Sequence, residues 1–424
     1  MLLSLKIENF RSVKDVALLN FATEKRLNED DLPYNKFETK GFELLHSLVI
    51  YGRNAAGKSN VIKAFRAISY LIENSDTFKL DKRIEPYEPF LFDNICRKAP
   101  VKFEVEFIGL ESKVVYKFIL EYNADEITRE ALYFYPEGVI SKLYDRSDGK
   151  VTYGDYYKGS KKSIEDDLLK NQLFLSKSAR NKIKFLGEVY LFFTKYLFVS
   201  TVLDAEFDET IIRSFAKLSL DNKRLKSNLL ELLKAADTNI QDFKISENEK
   251  NIEFPDNIPE KVRREILDKY KYEIQTFHPL FENGVEIGKE LLELNDESFG
   301  TKKFLAIGSL ILDTLDDGGV IVIDELDKGL HPLLTKLLVN LFNSKNNNPK
   351  NAQLIFATHD STLLDSNILR RDQICFVDKN YDGGSILYKL SDIKGVRKDI
   401  PIDKWYLSGR FKAIPITSEI NINF

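Results

Sequence analysis

Gly52-Arg53-Asn54-Ala55-Ala56-Gly57-Lys58-Ser59 is the stretch on which the fold turns. It has the form G-x-x-x-x-G-K-S, follows the mostly apolar run Leu44–Tyr51, and opens a segment of helical spacing from about Gly57 to Glu73. That strand–loop–helix setting separates a phosphate-binding loop from an ordinary turn. Its glycines let consecutive backbone N–H groups turn inward on one anion, and the helix N-terminus adds positive potential. The cradle comprises Gly52, Asn54, Ala55, Ala56, Gly57 and Asn60. Lys58 supplies a point charge at the β- and γ-phosphates, and the Ser59 hydroxyl faces a Mg²⁺ ion.

Three further motifs fit the same chemistry. Val320-Ile321-Val322-Ile323-Asp324-Glu325 delivers two adjacent carboxylates to the end of a buried strand. The first suits the water shell of Mg²⁺; the second can polarise an attacking water as general base. Leu354-Ile355-Phe356-Ala357-Thr358-His359-Asp360 ends another buried strand on an imidazole that can donate to a γ-phosphate. Glu297-Ser298-Phe299-Gly300-Thr301-Lys302 stands just ahead of a helix, where Ser and Gly make a donor cluster or an ordinary N-cap. If that cluster and the loop at Gly52 lie at opposite ends of a lobe, one chain cannot use both on one nucleotide. A second copy must then supply it.

Around these motifs, Leu3, Leu5, Ile7 and Phe10 alternate as in a half-buried strand, and Val16–Phe21 is expected to pair with it. Residues 23 to 41 read as a loop. Val101–Tyr153 keeps a period near two and predicts an antiparallel meander. From about 160 to 270 the spacing turns helical, and Val189–Leu203 reads as a buried helix, too short and too interrupted to span a bilayer. After 300 the alternation of helix and strand is that of a parallel sheet with crossover helices. The expected organisation is therefore an α/β chain: residues 1–155 with the phosphate loop and an antiparallel lobe, a helical insertion at 156–270, and 271–424 with the other motifs.

The net charge of −4 gives no global field to hold a polyanion, so nucleic-acid contact would need a local patch. Lys158–Lys162 and Lys177–Lys184, with Arg180, are the candidates, although solvated faces are commoner. Cys96 and Cys375 fit no metal or redox spacing and read as reduced buried thiols. The N-terminus lacks the form of a signal peptide, which points to a soluble, cytoplasmic protein without membrane contact.

In order and spacing the motifs resemble the ATP-binding-cassette ATPases, in the branch of the SMC-, RecF- and OLD-like proteins. Ile7-Glu8-Asn9-Phe10-Arg11-Ser12 resembles the opening strand of that branch, which implies that Arg11 reaches the nucleotide. Ser298–Lys302 looks like its signature motif, so Ser298, Gly300, Thr301 and Lys302 would meet the nucleotide of a partner copy. Asp324-Glu325-Leu326-Asp327-Lys328-Gly329-Leu330-His331-Pro332 is similar to the OLD-like second motif, with His331 facing the other protomer's nucleotide or capping a helix. Thr358-His359-Asp360 matches the switch histidine.

Tyr406–Pro415 looks like the tail of stand-alone ATPases of phage-defence operons, the RloA, AbiL and PARIS AriA kinds. The resemblance implies an ATP- and Mg²⁺-dependent ATPase that forms a head-to-tail homodimer or larger oligomer and controls a separate effector, a nuclease or toxin. A RecF-like DNA-repair clamp is the alternative. Neither a coiled-coil arm nor a Toprim nuclease is expected from these motifs and spacings. The glutamine that usually links nucleotide to lobe is not identifiable; Pro86–Phe92 is its candidate stand-in.

Overall fold

The computed structural model describes residues 1–27, 32–178, 184–201, 205–247, 260, 263 and 271–415. The alternating N-terminal run forms β1 (Leu2–Glu8), with Leu5 and Ile7 fully buried, and β2 (Ala17–Asn20) returns antiparallel to it. The period-two stretch forms β6 (Val101–Ile108), β7 (Val115–Tyr122), β8 (Ile127–Tyr135), β9 (Ser141–Ser147) and β10 (Lys150–Tyr153). Because β1 also pairs with β6, all seven strands form one antiparallel sheet, ordered β10-β9-β8-β7-β6-β1-β2.

A second sheet holds β5 (Ser47–Tyr51), β11 (Leu197–Ser200), β15 (Val320–Ile323), β16 (Gln353–Ala357), β17 (Ile374–Lys379) and β18 (Ser385–Lys389). Its order is β11-β15-β16-β5-β17-β18, parallel except for β18. β5, β15 and β16 are buried along their whole length, as strands covered on both faces must be. Helix α1 (Lys58–Asn74) shares one core with both sheets: Ile7 of β1, Phe65 and Ile68 of α1, Ile50 of β5 and Val322 of β15 belong to a single buried cluster. Gln353 at the start of β16 ties the sheets together. Its amide receives Leu2 N–H at 2.6 Å and donates to the carbonyls of Leu2 and Leu45 at 3.1 and 3.3 Å.

Three expectations need correction. The segment 23–41 contains β3 (Lys36–Thr39), paired with β4 (Phe42–Leu45), so Leu44–Tyr51 is split between two strands. Val189–Leu203 is not one helix. An α-helix ends at Leu191, a π-helical turn spans Phe192–Tyr196, and β11 then runs parallel to β15. A short apolar run carries no periodicity that distinguishes helix from strand, and here an open sheet edge decides. Residues 160–270 also include β12 (Asp242–Glu247). Part of the Lys177–Lys184 cluster, residues 179–183, lies outside the described residues.

The chain divides into two compact units, one of residues 1–201, 317–326 and 339–424, the other of 202–316 and 327–338. Both sheets above belong to the first. The second contains β12, β13 (Tyr272–Glu282) and β14 (Val285–Glu293) as an antiparallel sheet, the helices Ala205–Asp221 and Lys223–Ala235, and nearly all of the helix Phe299–Asp317. Gly308 permits close helix packing there, since a Cβ would stand 2.8 Å from Leu232.

Candidate nucleotide site

In a parallel sheet the carboxyl ends of neighbouring strands lie along one edge, which gathers three of the motifs. β5 runs into Gly52–Ser59, β15 into Asp324-Glu325, and β16, between them, into Thr358-His359. Ile323 is level with Phe356, and Ala357 with Ile50.

The phosphate loop has the backbone such a cradle requires. Ala55 and Gly57 are left-handed, at φ 61° and 117°. A Cβ on Gly52 would overlap the Val377 carbonyl, and one on Gly57 would overlap the Ser385 and Ser12 hydroxyls. Both glycines are therefore sterically obligatory. Asn54 and Ala55 are exposed, whereas Ala56, Gly57 and Lys58 are buried. Lys58 Nζ donates to the Gly52 carbonyl at 2.9 Å, folding back over the loop.

Ser59 lies close enough to the Asp324 carboxylate to favour its charged form, so loop and acidic motif meet. Burial pushes the Asp324 carboxyl above the usual aspartate range; the nearby Ser59 hydroxyl, Lys58 and Lys63 oppose that shift, while Glu325 adds to it. Asp324 Oδ1 is buried with no hydrogen-bond partner among the described residues. An orphaned carboxylate oxygen beside a serine hydroxyl fits a Mg²⁺ ion that keeps most of its waters. Glu325, half-buried, adopts φ 52°, a conformation unfavourable for a residue with a Cβ. His359 is exposed at the end of β16.

Arg11 also reaches this region. Its guanidinium donates to Asn60 Oδ1 at 3.2 Å and, bidentately, to Glu88 at 2.7 and 2.6 Å. Its own N–H donates to the Glu88 carbonyl at 2.6 Å, and its φ is 52°. Three residues not singled out by their chemistry complete the arrangement. Ser385 donates to the Ala56 carbonyl at 2.5 Å and stands 2.8 Å from Ser12 Oγ, which accepts from Asn60 at 2.7 Å. Glu88 lies within the Pro86–Phe92 stretch. Ser12 was visible beside Arg11, but Ser385 carries no local signal.

The remaining motif residues fall in the second unit. Ser298 Oγ accepts the Thr301 N–H at 3.0 Å and lies 2.8 Å from the Thr301 hydroxyl, the geometry of an N-cap. Gly300 lies beside the Gly329 carbonyl, and Lys302 Nζ donates to the Asn295 carbonyl at 2.9 Å. His331 Nδ1 accepts from Leu333 N–H at 3.2 Å, so it caps the helix Pro332–Phe342. Phe299 and Leu333 are exposed.

Several other candidates have structural roles. Trp405 stacks under Arg410, 4.2 Å from guanidinium carbon to ring centroid, and packs near Phe411, while Tyr406 lies against Tyr51 and Phe376. The tail thus folds onto β5 and β17. Lys161 lies over the Tyr153 ring. Cys375 is buried, its thiol pushed up to about 11 by burial, but Cys96 is only half-buried. A cavity of about 600 Å³ beside the β3–β4 hairpin is lined by none of the motif residues. No described helix is long and apolar enough to cross a membrane.

The fold and the loop at Gly52 define a P-loop nucleotide-binding domain of the AAA kind. The family described as "AAA domain, putative AbiEii toxin, Type IV TA system" matches residues 47–183 and 287–365, just over half of the chain, and the chain belongs to that family. Among solved structures, the SMC head domain from Thermotoga maritima aligns at 14% identity and TM-score 0.42, covering 92% of this chain and 98% of that one. An Smc head domain with an extended coiled coil, bound to the C-terminal domain of ScpA and derived from Pyrococcus furiosus, aligns at 13% identity and TM-score 0.43, covering 92% and 96%. No curated protein matches significantly.

Proposed function

We propose that this chain is a Mg²⁺-dependent ATPase whose catalytic sites are completed by a second copy, and that in a phage-defence system this assembly controls a separate effector in the cytoplasm. The observation that carries the catalytic part is the meeting of Ser59 and Lys58 with the Asp324 carboxylate, whose buried Oδ1 has no hydrogen-bond partner among the described residues. Ser59 and Asp324 would hold Mg²⁺, which when bound offsets the charge on the β- and γ-phosphates. Lys58 swings from the Gly52 carbonyl to the phosphates, and the loop's inward N–H groups orient them. Glu325 takes a proton from the attacking water, and His359 donates to the γ-phosphate. Ser298, Gly300, Thr301, Lys302 and His331 belong to a different compact unit from the loop, which suits donors supplied in trans. The family description, naming a toxin and a toxin–antitoxin system, supports the defence reading.

The deciding experiment compares two variants. Lys58→Ala should lose nucleotide binding. Glu325→Gln should keep ATP, lose hydrolysis by about 10²-fold or more, and accumulate as an ATP-dependent dimer in sedimentation. A Glu325→Gln chain that holds ATP and stays monomeric refutes the shared site. The alternative, a DNA-repair clamp, predicts DNA-stimulated hydrolysis that falls steeply with salt.

A further inference from the structure

Two surfaces outside the nucleotide chemistry expose apolar side chains, and their charges are opposite. The first is the turn Leu91–Lys98, with Leu91, Phe92 and Ile95 exposed by 61, 77 and 81%. Arg97 and Lys98 are exposed on the same turn, whose one acid, Asp93, pairs with Lys14 at 3.2 Å. The second is the hairpin β13–β14. β14 is an edge strand exposed along nearly its whole length, and Phe281, Val285 and Ile287 stand 56 to 64% exposed. Between Leu280 and Glu293 the hairpin carries four glutamates against one lysine.

A bare strand edge with exposed aliphatic side chains is a template for association unless something covers it. Like surfaces repel: turn on turn opposes Arg97 and Lys98, and hairpin on hairpin opposes Glu286 and Glu290. Only turn against hairpin is complementary in both charge and apolarity.

Each surface is also tethered to one half of the proposed shared site. The turn is held by Arg11 through Glu88, and by Asn9, whose amide donates to the Cys96 and Ala99 carbonyls at 2.9 and 3.0 Å and accepts from Phe90 N–H at 3.1 Å. Arg11 in turn touches Asn60 in the phosphate-loop helix. The hairpin is held through Thr276 and His278, both bonded to the buried Glu297 carboxylate at 2.5 and 2.8 Å, the residue preceding Ser298.

We propose that in the ATP-bound pair the Leu91–Lys98 turn of each copy docks on the β13–β14 hairpin of the other. This inference rests on the shared-site reading and names contacts which that reading leaves open. It makes Arg11 and Glu88 the link through which nucleotide at the loop sets the position of the docking turn.

The test is charge exchange in the Glu325→Gln background with ATP, read by sedimentation. Arg97→Glu with Lys98→Glu, and separately Glu286→Lys with Glu290→Lys, should each weaken association by at least about tenfold. Mixing the two variants should restore it, because both docking contacts of the mixed pair are again between opposite charges. All four residues are exposed, and unchanged ATP binding by each monomer serves as the folding control. Reversals that leave the dimer intact overturn the docking surface while the shared site survives, as does a mixture that stays monomeric. A parent that fails to associate with ATP removes the shared-site reading, and the docking contact falls with it.

Discussion

At the scale of single residues, the phosphate loop is specified by what cannot be placed there. Gly57 combines φ 117° with two serine hydroxyls where a Cβ would stand. Gly57→Ala therefore meets backbone strain of about 1–3 kcal/mol and displaces Ser12 or Ser385 from the loop. Nucleotide affinity should fall by more than about tenfold in isothermal titration, with thermal unfolding lowered by a few degrees. Replacing Ser385 by Ala removes the clasp without the strain, so a smaller loss is expected there. This asymmetry explains what could be read from the sequence. A glycine whose spacing serves a phosphate is visible in isolation, as are Lys58, Ser59 and Asp324. Ser385, 373 residues from the serine it touches, is not. Nor is the left-handed backbone of Glu325, because nothing in an Asp-Glu pair announces its φ.

At the scale of elements, the antiparallel lobe depends on one buried acid. Glu130 in β8 is fully buried; its carboxylate accepts Phe174 and Leu175 N–H at 2.6 and 2.8 Å and the Tyr144 hydroxyl at 2.8 Å. Arg146 Nη1 lies 4.0 Å away and donates to the Gln172 carbonyl. Glu130→Ala strands Arg146 and two amides, and should cost about 3–5 kcal/mol in denaturant unfolding. Burial raises the Glu130 carboxyl above the ordinary glutamate range despite Arg146. The native state then binds more protons than the unfolded one, so this group's contribution is greatest below the ordinary glutamate value and declines as pH rises through the raised one. Glu130→Gln lacks that slope, so the wild-type advantage over it should shrink across the same window. The lobe was legible because alternation over eight residues admits only a strand with one buried face. β3, β11 and β12 were not, being four to six residues long and defined by the partners they pair with.

At the scale of the whole molecule, the assembly is the decisive question, and the division of motifs between two compact units frames it. Ser298 lies in the unit that lacks the phosphate loop, so Ser298→Arg should leave nucleotide affinity unchanged. Loss of the N-cap would cost about 1 kcal/mol, which Ser298→Ala measures separately. If the donors act in trans, Ser298→Arg should lower hydrolysis by about 10²-fold or more. Loss alone does not distinguish sharing from a damaged fold; complementation does. A Ser298→Arg chain keeps an intact loop, and a Lys58→Ala chain keeps an intact Ser298. Each is inactive by itself, yet the mixed pair contains one site with the loop of the first and the donors of the second. An equimolar mixture should recover hydrolysis, up to at most about half that of wild type, since each mixed pair has one working site of two. In a protein that completes its site within one chain, mixing two dead copies restores nothing.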